Sequence, residues 1–212
     1  MCISDTKQRI LDAAEKLFAE KGFHCTTMRN ITCEAQVNLA AVNYHFGSKM
    51  ALFEAVFERR LVPLNQLRMK RLEAVRDEAA GNGGRPEVED IVQAFIEPTL
   101  CFRESGPGAK NFLALVGRFF VDQDDSLRDV FLRHMGPVLE LFLSVLRQAL
   151  PEIPKDIVLW RAHFLMGALA HTMWLNGELR IGDEQFVPCS DAAQTTKILL
   201  PFLTAGLQAE CE

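Results

Sequence analysis

Apolar side chains recur every three to four residues along almost the whole chain, and strict apolar/polar alternation is nearly absent. That spacing is the mark of helices with one buried face. The first is predicted over Asp5–Lys21, with Ile10, Ala14, Leu17 and Phe18 on one side, Ser4 or Thr6 as its starting cap, and Gly22 at a left-handed position past its end. A second helix reads from about Thr27 to Ala35 with Thr27 as N-cap, and a third from Leu39 to Phe46 with Asn38 as N-cap and Gly47 as its stop. Ser48 opens a long fourth helix, residues 48–79, that buries Leu52, Phe53, Val56, Phe57 and Leu61. Pro63 is expected to kink it, because proline lacks the N–H and its ring clashes with the preceding turn. The run from Gly81 to Pro86 reads as a flexible linker. Further helices are predicted at 87–102, 109–122, 126–149, 155–175 and 190–208, with kinks at Pro98 and Pro137 and a loop from Gly182 to Pro188. The expected class is all-α. A three-helix head with a helix-turn-helix, residues 1–50, precedes a larger helical domain, residues 51–212.

Composition supports a folded chain, since 212 residues with 49% apolar and 24% charged side chains suffice for a sizeable core. The N-terminus MCISDTKQRI lacks the apolar segment of a secretory signal, so a cytoplasmic protein is expected. The most membrane-like run, Ile157 to Leu175, carries Arg161, His163 and His171, and a charge mid-bilayer costs about 3 kcal/mol. That run reads as a core helix. Six scattered cysteines without a C-x-x-C pair read as reduced thiols and support no zinc site, and no cofactor is expected. Net charge is −5, but residues 1–50 hold six Lys/Arg and five Asp/Glu (net +1), leaving −6 for the rest. A mildly basic head on an acidic body can offer that head to phosphates.

The segment TTMRNITCEAQVNLAAVNYHFGSK, residues 26–49, then carries the chemistry. Two short capped helices with a tight joint form a helix-turn-helix, and the second helix enters a major groove of double-stranded DNA. Helical spacing predicts Leu39, Val42 and Phe46 on the buried side, leaving Ala40, Ala41, Asn43, Tyr44 and His45 outward. Asn43 suits a bidentate contact to adenine, and Ala40 and Ala41 allow close approach to a thymine methyl. Tyr44, His45, Thr26, Thr27, Arg29 and Lys49 are placed to donate to phosphate oxygens, and Asn38 completes the expected contact set. Each residue alone is as consistent with an ordinary surface or core role; the spacing of the whole segment is what selects the reading.

The strings RILDAAEKLFAEKGF, TTMRNIT and NLAAVNYHFGSKMALFEAVF make residues 5–57 resemble the N-terminal domain of the TetR family of bacterial repressors. The resemblance implies a dimer that binds an operator and lets go when a small molecule enters the C-terminal helical domain. Carried over by position, it implies DNA contacts from Thr27, Arg29, Tyr44, His45 and Lys49. Two departures stand out: Gln36 where the family usually has a turn glycine, and Asn43 where many members have tyrosine. The form NLAAVNYHFGSK, with WRAHFLMGA at 160–168, is similar to the subgroup that includes fatty-acid-responsive regulators of β-oxidation genes.

The C-terminal half is rich in large apolar side chains, enough to line a cavity for a small apolar, acyl-like effector or simply to fill a core. The candidate ligand set is Phe102, Phe112, Arg118, Phe119, Phe142, Arg161, Phe164 and Trp174, with Arg118 or Arg161 as anchor for a carboxylate and an Arg118–Asp122 ion pair as the structural alternative. Helices 155–175 and 190–208 are the expected homodimer surface, with Gly167, Ala168 and Ala170 allowing close approach and Leu199, Leu200, Leu203 and Leu207 forming a stripe. A two-fold dimer sets its reading helices about 34–36 Å apart or a multiple of that. Two alternatives remain at this stage: a DNA-binding protein with no ligand, and a helical enzyme. The second has no nucleophile elbow or phosphate loop behind it, and its only candidate groups, His163 and His171, read as core residues.

Overall fold

A computed structural model describes residues 3–119, 125–174, 179–181, 183–186 and 191–210. In chain order the elements are α1 (Ile3–Cys25), α2 (Met28–Ala35), α3 (Leu39–Phe46), α4 (Lys49–Gly81), α5 (Val88–Arg103), α6 (Pro107–Phe119), α7 (Asp125–Ala149), α8 (Lys155–Trp174), β1 (Leu179–Ile181), β2 (Glu184–Phe186) and α9 (Ala192–Gln208). They form two compact units. One holds Met1–Pro63 and Ser105–His134, the other Leu64–Glu104 and Met135–Glu212.

The first unit is built on α1, which packs against α6 and α2, while α2 packs against α3. Ile10, Ala14, Leu17 and Phe18 are buried, as are all five residues predicted for the inner face of α4. Their rings interlock: Phe18, Phe23 and Phe53 approach at 5.0–5.7 Å, Phe53 lies 4.8 Å from Phe57, and Phe57 meets Phe112 at 5.2 Å. The head therefore draws on α6, far along the chain. A second tie is electrostatic. Glu15, 2% exposed, accepts from Arg59 at 2.6 Å and from Arg60 twice at 2.8 Å, and Asp12 also holds Arg59 at 2.6 Å. The hydrogen bond to Glu15 favours the charged form of Arg60. Gly108 of α6 abuts this cluster so closely that a Cβ there would lie 2.3 Å from Arg60 Nη2 and 2.9 Å from Glu15 Oε1.

In the second unit α5 packs chiefly on α9, and α8 also meets α9. Phe95 stacks on Phe142 at 4.4 Å in its core. The hairpin β1–β2 is antiparallel, pairing Leu179 with Phe186 and Ile181 with Glu184.

Several local expectations change. α1 begins at Ile3, so Ser4 and Thr6 lie within it and neither is its cap. Gly22 does break the helix at a positive φ as expected (φ 80°, ψ 168°, extended and not αL), and a short second helical stretch follows it to Cys25. Pro63, Pro98 and Pro137 lie inside α4, α5 and α7, the positions at which kinks are expected. A proline deletes one donor, and the bonds on either side hold the helix together. Residues 81–86 form a tight helix-ending turn, not a linker, since Asn82, Gly83 and Gly84 donate back to Glu78, Ala80 and Ala79 at 3.0–3.1 Å. β2 falls in the predicted loop 182–188. The predicted helix ends at 120–122, 175 and 190 lie outside the described residues.

Candidate nucleic-acid interface

The helix-turn-helix is held by its own side chains. Thr27 caps α2: its hydroxyl oxygen accepts from Asn30 N–H at 3.1 Å, and Asn30 Oδ1 accepts from Thr27 N–H at 3.0 Å. The Thr27 hydroxyl hydrogen is given to Asn30 Oδ1 at 2.6 Å. This reciprocal cap leaves the amides of Met28 and Arg29 at the helix end without a helical acceptor, a ready anion site. Asn38 caps α3, its Oδ1 accepting from Ala41 N–H at 2.8 Å. Ser48 caps α4 through Ala51 N–H at 3.1 Å.

Between the two helices Gln36 sits in the left-handed region, φ 53°, ψ 47°, and it is the sole non-glycine residue with positive φ among the described residues. Glycine suits such a position because it has no Cβ to meet the carbonyl. Arg9 of α1 reaches across this joint: Nη2 donates to the carbonyls of Ala35 and Gln36, at 3.0 Å to the latter. Lys16 adds an exposed pair with Glu34 at 2.7 Å.

On α3, Val42 is fully buried and fastens the helix. Tyr44 is 81% exposed, with its ring 5.2 Å from that of His45, which is half-buried. Asn43, Ala40 and Arg29 are exposed and Ala41 half-buried. Leu39 is not buried as its spacing suggested: it is 51% exposed, so the apolar edge of the outward face begins one turn earlier, and Phe46 is half-buried. At the start of an eight-residue helix there is no earlier turn for Leu39 to pack beneath.

Two of the expected phosphate donors are committed elsewhere. Thr26 is fully buried, its hydroxyl donating to the carbonyls of Leu17 (3.1 Å) and Gly22 (2.8 Å) and its N–H to Phe23. It has no donor left for DNA and leaves the contact set. Lys49 is half-buried. Its ammonium donates to the carbonyls of Phe23 and Thr26, both at 3.0 Å, and lies 4.2 Å from the Phe23 ring centroid. These bonds and the ring contact tie the start of α4 to the segment after Gly22, and the ammonium keeps one N–H in reserve.

The candidate ligand residues are distributed over both units. Phe112 packs in the first unit and Phe142 in the second. Phe164 is 64% exposed. Arg161 donates to the Leu207 carbonyl at 2.8 Å and so holds α8 to α9. Phe102 is half-buried near the end of α5. The side chains of Arg118, Phe119 and Trp174, and all of Asp122, lie outside the described residues. A cavity of about 550 Å³ between the end of α4 and the start of α5 is lined by Arg71, Glu78, Arg85, Glu87, Asp90 and Glu97 among others, a charged lining unlike an apolar pocket. The arginine that burial does single out, Arg68, gave no warning in sequence, where it falls within the run RMKR.

On α8, Gly167 is exposed and Ala168 and Ala170 half-buried, as an outer face requires, but the leucine stripe of α9 turns inward. Leu200, Leu203 and Leu207 are buried within the chain's own core, whereas Leu159, Trp160, Phe164, Ile198 and Phe202 are exposed. His163 and His171 also lie on the outside, not in the core. No described group of His, Cys, Asp and Glu could hold a metal ion, and no described helix is long and apolar enough to cross a membrane.

Residues 10–56 match the family described as "Bacterial regulatory proteins, tetR family", and residues 93–206 match "Tetracyclin repressor-like, C-terminal domain". The transcriptional regulator SrpR of Pseudomonas putida is 38% identical over 183 residues, covering 85% of this chain and 78% of SrpR. The repressor BepR of Brucella suis is 31% identical over 67 residues, and that match spans 32% of each chain. A match to the Bacillus subtilis regulator YerO spans 61% of YerO. Among solved structures, the fatty acid degradation regulator FadR of Bacillus halodurans superimposes with a TM-score of 0.66 at 14% identity, over 97% of both chains, and so shares the fold. With a capped helix-turn-helix at its head and the matching helical domain behind it, the chain belongs to the tetR family of bacterial regulatory proteins.

Proposed function

We propose that the protein is a homodimeric DNA-binding transcriptional repressor, acting in the cytoplasm and released from a palindromic operator by a small apolar effector. The observation that carries the reading is the outward face of α3: Val42 and the caps hold the helix rigid while Leu39, Ala40, Asn43 and Tyr44 project from it. Asn43 reads an adenine edge, Ala40, Ala41 and Leu39 meet thymine methyls, and Tyr44, His45, Arg29 and the α2 amides beside Thr27 grip phosphates. Asn38 positions the first turn through its cap, and Lys49 offers its remaining N–H to the backbone.

Exposed Trp160, Phe164, Ile198 and Phe202 support α8 and α9 as the dimer surface, because a monomer seldom leaves so many large apolar groups in water. A ligand that prefers an arrangement with misspaced heads penalises simultaneous contact with both half-sites. An acyl-like effector is favoured by the resemblance to fatty-acid-responsive members; FadR, a fatty acid degradation regulator, shares the fold. The role is that of a regulator, not an enzyme. Footprinting of the DNA beside the protein's own gene tests it. A protected palindrome is expected, and Tyr44→Ala is expected to weaken it at least about tenfold with the dimer intact. Absence of protection, or unchanged affinity in the variant, would refute the respective claim.

A further inference from the structure

Arg68, on α4 in the second unit, is 4% exposed. Its Nη1 donates to Asn65 Oδ1 at 2.9 Å and lies 3.7 Å from Met135 Sδ, and its Nη2 donates to the Thr99 hydroxyl. Cζ stands 4.8 Å from the centroid of the Phe95 ring, itself stacked on Phe142. Nε is buried and, among the described residues, has no acceptor. All of these partners are neutral, and among the described residues no carboxylate reaches the guanidinium. The neighbouring arginines of α4 differ: Arg59 and Arg60 hold Glu15, Arg71 holds Glu97 at 2.6 Å, and Arg76 holds Asp77 at 2.8 Å.

A buried cation is costly unless it is paired, and an N–H with no acceptor adds to that cost. Burial pushes the Arg68 pKa down to about 10, which still leaves it charged at neutral pH. The missing acceptor is on Nε, and Nε with the neighbouring Nη2 forms the edge of the fork that takes a carboxylate side-on through two parallel bonds. The weakest contact is the thioether of Met135, a flexible side chain able to move aside. The Phe95–Phe142 pair supplies an apolar wall next to the charge.

We propose that Arg68 is the anion anchor of the effector site: the effector carries a carboxylate that pairs with the Nε–Nη2 edge, with its apolar body against Phe95 and Phe142. This rests on the ligand-released reading above and specifies the chemical class that reading leaves open.

The test uses the full chain and two matched pairs of compounds, octanoate with octanol and benzoate with benzyl alcohol. The Arg68 Nε–H resonance is assigned in a ¹⁵N spectrum by its loss in Arg68→Lys. At least one carboxylate is expected to shift that resonance, and to bind Arg68→Met about thirtyfold more weakly or worse. Its neutral counterpart is expected to bind wild type and variant within about twofold. Should Arg68→Met fail to fold, Arg68→Lys, which keeps the charge and loses the planar edge, is expected to show the same selective loss. If neither carboxylate moves the resonance, or if the variant binds both as wild type does, the anchor is overturned. Operator release by the neutral compounds alone overturns the anchor and leaves the ligand-released repressor standing. A shifted resonance with no effect of any compound on operator binding overturns release and leaves the anchor.

Discussion

Replacing Gln36 with glycine isolates the strain in the helix-turn-helix joint. At φ 53°, ψ 47° an L-residue with a Cβ bears a cost of roughly 1–2 kcal/mol, and glycine removes it. Glycine also frees the unfolded chain, which returns about 0.4–1 kcal/mol. The Gln36 side chain is exposed and, among the described residues, has no hydrogen bond to lose. The difference favours Gln36→Gly by about 0.5–1 kcal/mol. For a chain of 212 residues that is a rise in melting midpoint of roughly 1–4 °C, readable by circular dichroism or from the denaturant midpoint. Arg9→Ala should act in the other direction by about 1 kcal/mol, because it strips the donor from the Ala35 and Gln36 carbonyls at a partly exposed site. Glycine keeps both carbonyls, so the double variant should be additive within about 0.5 kcal/mol. A destabilised Gln36→Gly would show that the left-handed residue is not strained. A coupling above about 1 kcal/mol would show that the turn refolds around the glycine and that the Arg9 clasp is not independent of it.

Glu15→Gln should lower stability by about 3 kcal/mol, since it leaves Arg60 without its charge partner and Arg59 with Asp12 alone, and a denaturation midpoint within error of wild type would contradict the clasp. Lys49→Ala should cost about 1–2 kcal/mol by opening the carbonyls of Phe23 and Thr26, and should flatten the salt dependence of operator binding by about one unit. Lost stability with an unchanged slope would confine Lys49 to the joint between α1 and α4. Phe202→Asp, on the exposed face of α9, should yield monomers in sedimentation while the helical signal is kept; a persisting dimer would move the interface elsewhere.

The local grammar of the head was legible residue by residue. Thr27, Asn38 and Ser48 cap the helices they were assigned to, because capping depends on a side chain and amides two or three residues away. The inner face of α4 from Leu52 to Leu61 was legible for the same reason, since periodicity is a local property. What failed were the judgements about which distant group claims a polar side chain and which face of an apolar helix meets its own chain. Thr26 reads as a surface hydroxyl beside a reading helix, yet the carbonyls of Leu17 and Gly22 claim it. Lys49 reads as a phosphate donor, yet it spends two hydrogens at the end of α1. His163 and His171 read as core, and the leucines of α9 as an interface, because an apolar helix has two faces and nothing local says which one meets its own chain.

By itself, then, the sequence determined that this is an all-helical protein with a capped helix-turn-helix near its start, since caps, periods and motif spacing act over a handful of residues. Tertiary structure alone decided that Arg9 reaches a left-handed Gln36 from 27 positions away, that Leu39 faces outward, and that Arg68 among several arginines of α4 is the one buried against neutral partners. Hydrogen-bond saturation and desolvation depend on which distant groups share the same small volume, and only the packed chain settles that.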